Sequence, residues 1–243
     1  MIPAGLQWIN VASLRMDKQL GRPVLLEFWD FCRSNSLRTL PYVRGWHARH
    51  AAAGLRVISA HAPGYPPSQD PDQVRAAVAR LGIEHPVVLD TEFALWRDYG
   101  NEGWPARYLF DRELRLHSYH YGEGAYAETE AEICELLGVQ PQPLELVRPE
   151  DAPDAPLVLP TPEQQGAWSG PYEAGAVWAV LEPHGAADGS PPPCVRVNGD
   201  EVEVPHAGCF ALVEHERHAA GVLELEVGDG VTCHAVQFTA GLA

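Results

Sequence analysis

Proline divides this chain more sharply than any other feature. Twelve of its 22 prolines fall between Pro141 and Pro193, among them the run PEDAPDAPLVLPTP at 149–162. Proline has no backbone donor and a fixed φ, so such a stretch sustains neither helix nor central strand and favours extended, polyproline-like structure. The sequence therefore reads as two domains, 1–140 and 167–243, joined by a Pro-rich linker at 141–166. With 243 residues in total, either half can bury a core without disulfides or metal.

Before the seam, strand and helix signals alternate. PVLLEFW (23–29) and LRVISAH (55–61) are near-continuous apolar runs, the pattern of strands buried on both faces. PVVLD (86–90) is a shorter third. SLRTLPYVRGWHARHAAAG (36–54) places Leu40, Val43 and Trp46 at helical spacing, with Pro41 expected to kink it and Gly54 to stop it. DPDQVRAAVARLG (70–82) is a second helix, with Asp70 at the N-cap, Pro71 at the first helical position and Gly82 at the end. FALWRDYG (93–100) and AETEAEICELLG (127–138) are further helices, and 106–124 reads as a hairpin turning near Asp111–Glu113. This order describes an α/β domain, a mixed sheet with helices on both faces.

After the seam, helical periodicity stops. Residues 176–183, 194–205, 209–215 and 221–238 are short alternating segments. Asn198-Gly199 and Asp229-Gly230 lie between apolar runs and predict hairpin turns. A small all-β sandwich follows from that spacing.

Thirty-three acidic residues against 17 basic ones give a net charge of −16, with no basic cluster. Such a surface repels nucleic-acid backbones and anionic membranes, so neither is expected as a partner. The first residues form no basic, apolar leader, and no run of 18 apolar residues occurs, so a soluble cytoplasmic protein is expected. Cys32, Cys134, Cys194, Cys209 and Cys233 are odd in number and lack CxxC spacing, a pattern of free thiols in a reducing compartment.

The chemistry, if there is any, lies in FWDFCRSNSLRTLPY (28–42), where an apolar strand runs through a turn into a helix. Phe28, Trp29, Asp30, Asn35, Arg38, Thr39, Leu40, Pro41 and Tyr42 follow a frame that resembles the thioredoxin superfamily, specifically redoxins of the TlpA/ResA and DipZ-ectodomain kind. GLRVISAHAP, LGIEHPVVLD, GWPARYLFD and YGEGAYAETE continue the resemblance in order over about residues 6–140. It implies a thioredoxin-like sheet, thiol–disulfide chemistry and a cis proline at Pro105. The β-rich tail is similar to the carbohydrate-binding-module-like sandwich that follows the redoxin domain in some relatives.

The resemblance breaks at the sulfurs. In register with Arg38-Thr39-Leu40-Pro41-Tyr42, the two cysteine positions of the family hold Arg33 and Ser36, and Cys32 precedes the usual nucleophile by one residue. A dithiol enzyme attacks with one thiolate and resolves the mixed disulfide with the second, so ordinary turnover is not expected. Two readings stand. In one, Cys32 is a lone nucleophile at a helix N-terminus, its thiolate favoured by the dipole and by Arg33, and an external thiol resolves the adduct. A thiol, peptide or protein partner would then lie along a cleft between Cys32 and Pro105, lined by Trp29, Asp30, Asn35, Ser36, Arg38 and Trp104. In the other, Cys32 is a small buried turn residue, the tryptophans are core, and the chain is a non-catalytic binding or scaffold protein.

No cofactor is expected, for there is neither a P-loop nor a G-x-G-x-x-G after a strand. No metal is expected either. His47 and His50 are i,i+3 on a helix, His117 and His120 fall on opposite strand faces, and the densest cluster, His215 and His218 in an expected loop near Cys209 and Cys233, lacks a ligand motif.

Overall fold

The computed structural model describes residues 2–184 and 191–243, which divide into two compact units. One runs up to Asp30 and resumes over Asn35–Pro153; the other takes Phe31–Ser34 and Asp154–Ala243. The first unit contains β1 (Gln7–Ile9), β2 (Val24–Trp29), α1 (Ser34–His50), β3 (Arg56–His61), α2 (Pro71–Arg80), β4 (Val87–Leu89), α3 (Ala94–Tyr99), β5 (Ala106–Phe110), β6 (Leu116–Tyr121) and α4 (Tyr126–Leu137). Its sheet runs β1-β4-β3-β2-β5-β6. β2, β3 and β4 are parallel, while β5, β6 and β1 are antiparallel to their neighbours.

Every residue of β2 is buried because it pairs on both sides and is covered on both faces. Its alternation feeds two cores. Val24, Leu26 and Phe28 join Ile58, Val88, Leu95 and Tyr108 on one face. Leu25 joins Val43 and Trp46 of α1 and Ile133 and Leu137 of α4 on the other. Phe28 makes edge-on contacts with Trp96, Tyr99 and Tyr108 at 5.6, 5.7 and 5.8 Å, the geometry aromatic quadrupoles favour. Helix α2 starts as expected: Asp70 Oδ1 accepts the Asp72 N–H at 2.9 Å and Pro71 takes the first turn. Helix α1 starts at Ser34, carries Pro41 inside it and ends at His50, four residues before Gly54, whose φ of 111° is in the range that glycine tolerates.

The proline-rich stretch is not one continuous linker. Residues up to Pro153 belong with the first unit. The Tyr42 hydroxyl donates to Asp151 Oδ2 at 2.6 Å and accepts the Val147 N–H at 2.8 Å, and Arg148 donates to the Arg38 carbonyl at 2.7 Å. Prolines remove backbone donors, but the side chains between them supply their own anchors.

The second unit adds β7 (Leu157–Val158), β8 (Gln164–Gln165), β9 (Gly170–Pro183), β10 (Cys194–Val197), β11 (Asp200–Glu203), β12 (Gly208–Leu223), β13 (Leu225–Val227), β14 (Val231–Thr239) and β15 (Gly241–Leu242). A four-stranded sheet, β12-β9-β14-β8, and a three-stranded one, β11-β10-β13, share one core of Val177, Ala179, Leu181, Val195, Val197 and Leu225, so this unit is a small antiparallel sandwich. Asn198 and Gly199, with φ of 50° and 92°, make the two-residue turn between β10 and β11. Asp229-Gly230 does not close a hairpin: β13 pairs with β10 and β14 with β9, so this turn carries the chain from one sheet to the other. Among the described residues, no helix is long and apolar enough to cross a membrane.

Candidate functional site

The turn after β2 falls into two parts. Phe31–Ser34 clusters with the sandwich, and there its backbone is held by Gln237 of β14. Gln237 Nε2 donates to the Cys32 carbonyl at 3.0 Å, and the Ser34 N–H donates to Gln237 Oε1 at 2.8 Å. Cys209 Sγ lies 3.8 Å from the same Oε1. Cys32 is 0% exposed and in no disulfide. The Arg33 guanidinium pairs with Glu163 at 3.3 Å. The expected activating cation is therefore engaged by a carboxylate, and the sulfur is out of solvent.

The remaining predicted residues stand in the first unit, where each makes contacts within that unit. Trp29 is fully buried, packed edge-on against His61 at 5.2 Å. Asp30, equally buried, accepts the Gly64 N–H at 2.7 Å and the Ser68 hydroxyl at 3.2 Å, which ties the segment after β3 to the end of β2. Ser36 Oγ accepts the Asp30 N–H at 3.3 Å. Arg38 pairs with Glu123 at 2.7 Å, where burial still pushes the Glu123 carboxyl above the usual range. Asn35 Nδ2 donates to the Trp104 carbonyl at 3.2 Å, and the Trp104 indole donates to the Ala62 carbonyl at 2.9 Å. The Trp104–Pro105 bond is cis. The Pro105 carbonyl accepts the Gly122 N–H at 2.7 Å, so each carbonyl of this pair takes part in one hydrogen bond within the first unit.

The histidine and cysteine cluster of the sandwich does not assemble. His215 and His218 lie within β12, not in a loop. His215 bonds the Tyr172 hydroxyl at 3.0 Å, while Cys233 bonds the Gly166 and Ala235 carbonyls.

One polar group escaped the reading of the sequence. Glu27 lies mid-β2, 0% exposed, and burial pushes its carboxyl up to about 7 against the partial relief of Ser59 and the buried Arg107. Ser59 Oγ donates to Glu27 Oε2 at 2.9 Å and meets His85 Nε2 at 2.7 Å. Burial, then His47 and Arg44, push His85 down to about 3, so it is neutral at pH 7. The signal was the single charged letter in PVLLEFW. Gln237 carried no such signal, since nothing local marks a residue some 200 positions downstream of its partners.

No family model matches the chain. It is 38% identical over 161 residues to the protein DipZ of Mycobacterium bovis, an alignment covering 64% of this chain and 22% of that one, so the chain spans about a fifth of that relative. It is 25% identical over 130 residues to the thiol-disulfide oxidoreductase YkuV of Bacillus subtilis, covering 54% of this chain and 87% of that one. A thiol-disulfide isomerase from Corynebacterium glutamicum superposes with a TM-score of 0.51 at 20% identity, over 55% of this chain and 92% of its own.

Proposed function

We propose that this chain, whose N-terminal unit belongs to the thioredoxin-like superfamily, is a binding protein built on a redox fold rather than a disulfide-exchange enzyme. The burial of Cys32 carries the reading. A thiolate must reach a partner sulfur in line, and a thiol at 0% exposure whose turn is held at both ends by Gln237 is shielded from that approach. Ser36 stands where a resolving cysteine is needed, so a mixed disulfide would have no internal exit. The partner is a protein or peptide without strong negative charge, given the net charge of −16. In the first unit the best-suited surface is β6, an edge strand bonded only to β5, with Leu116, Tyr119 and Tyr121 exposed; an extended segment can add to such an edge. The sandwich offers less to a sugar, since Trp168 and Tyr172 each pack on Phe238 at 5.7 Å. Five cysteines outside any disulfide, Cys194 exposed, support a reducing compartment and hence the cytoplasm.

The test is timed alkylation of the native reduced chain, read at each cysteine by mass spectrometry. Cys194 labels first, and Cys32 only when its turn opens or the chain unfolds. Insulin reduction stays at the level of Cys32→Ser. Labelling of Cys32 as fast as Cys194, with insulin reduction lost in that variant, would instead establish single-thiol chemistry.

A further inference from the structure

Away from the turn, the first unit contains a second constellation that the binding reading does not use. His50 ends α1, and Glu130 and Cys134 are i,i+4 on α4, so both face His50 from one side of that helix. All three are buried, and one ligand atom from each lies within 4.8 Å of the others. The hydrogen bonding of Glu130 is lopsided. Oε1 meets Arg49 Nη1 at 2.7 Å, His50 Nε2 at 3.0 Å and Cys134 Sγ at 3.8 Å, whereas the buried Oε2 has no hydrogen-bond partner among the described residues. A carboxylate shares its acceptor capacity over two oxygens, so three donors on one and none on the other leaves buried capacity unused.

We propose that His50, Glu130 and Cys134 bind one divalent transition-metal ion, zinc by the chemistry of the donors, clipping α1 to α4. An imidazole nitrogen, a thiolate and a carboxylate are the set that borderline-soft zinc takes. Tetrahedral zinc with bonds of about 2.0–2.3 Å sets its ligand atoms about 3.3–3.7 Å apart; Glu130 Oε1 stands 3.0 Å from His50 Nε2 and 3.8 Å from Cys134 Sγ, and all three ligand atoms lie within 4.8 Å, so the set closes on an ion with side-chain shifts of about 1 Å or less. The fourth position falls to Glu130 Oε2 or a water. Binding releases the Cys134 thiol proton to solvent and shifts the His50 ring hydrogen from Nε2, where it meets Glu130 Oε1, to Nδ1, which frees the Nε2 lone pair; the thiolate and the carboxylate then balance the two charges of the ion. Arg49, with its side chain 35% exposed, stays as an outer partner of the coordinated carboxylate or swings to water.

Cobalt(II) titrated into the full-length reduced protein reads the site directly. One equivalent is expected to give a sulfur-to-cobalt charge-transfer band and tetrahedral visible bands, both bleached by one equivalent of zinc. Cys134→Ser should abolish the charge-transfer band, His50→Gln should weaken binding at least tenfold, and Cys194→Ser, at the exposed thiol, should change neither. The wild-type titration needs no variant, so a Cys134→Ser that fails to fold leaves the test standing on His50→Gln and Glu130→Gln. Absence of the charge-transfer band in folded wild type, or its survival in folded Cys134→Ser, overturns the site.

Discussion

Replacing Glu27 with glutamine keeps the Ser59 hydrogen bond and removes the ability to ionise. The folded carboxyl titrates at about 7 against 4.5 in the open chain, so the folded state holds a proton that the unfolded state releases. The stability this lends is fully present below pH 4.5 and lost as pH rises through 7. At roughly 1.36 kcal/mol per pH unit, the gap corresponds to about 3 kcal/mol. His85 acts in the opposite sense: its folded value of about 3 lies below the usual 6.5, so its contribution is present above 6.5 and lost as pH falls toward 3. Between pH 4.5 and 6.5 the two slopes oppose each other in the wild type, and Glu27→Gln removes the carboxyl's share. The variant should match wild type near pH 4.5 and exceed it by about 3 kcal/mol at pH 8. Urea unfolding at both pH values measures this, and hydrogen exchange of peptides over 24–29 and 56–61 assigns it to the first unit. An equal stability difference at pH 4.5 and pH 8 would falsify the assignment of the buried charge.

Three further outcomes test other parts of the structure. Gln237→Ala removes two hydrogen bonds from the 32–34 turn; at about 1 kcal/mol each, opening and hence Cys32 alkylation should rise roughly thirtyfold, whereas an unchanged rate would mean the glutamine does not hold the turn. Tyr42→Phe leaves the buried Asp151 without its phenolic donor and should cost ~1–3 kcal/mol, with new protease cleavage confined to residues 141–153. Gly175→Ala would set a Cβ 2.7 Å from the Gly241 Cα, so the sandwich should lose several degrees in melting temperature, read by differential scanning calorimetry, while Gly103→Ala, with open space around it, should not.

The elements of the first unit were legible because each carried its own period: the apolar runs of β2 and β3, and the Asp70-Pro71 start and Gly82 stop of α2. β1 was missed because three residues, QWI, are too few to show alternation. In the sandwich, Asn198-Gly199 declared its turn through residues that tolerate positive φ, but Asp229-Gly230 carries the same local chemistry and joins different sheets. Local turn preference does not specify which partner a strand finds. The site was less legible for the same reason. Asp30, Asn35 and Arg38 were recognisable as polar residues in a turn, but their use as internal staples depends on Gly64, Trp104 and Glu123, which are remote in sequence.

Four residues near the start of the chain lie inside a fold whose strands are encoded more than a hundred positions later. A gene fragment beginning at Asp154 would leave the Gln237 amide facing water where two peptide groups now meet it. A fragment ending at Pro153 would leave the Cys32 carbonyl and the Ser34 N–H without the side chain that bridges them. Recombination that exchanged either half for a stranger's would thus create an orphaned amide on one product and an untethered turn on the other, a reason for the halves to descend together.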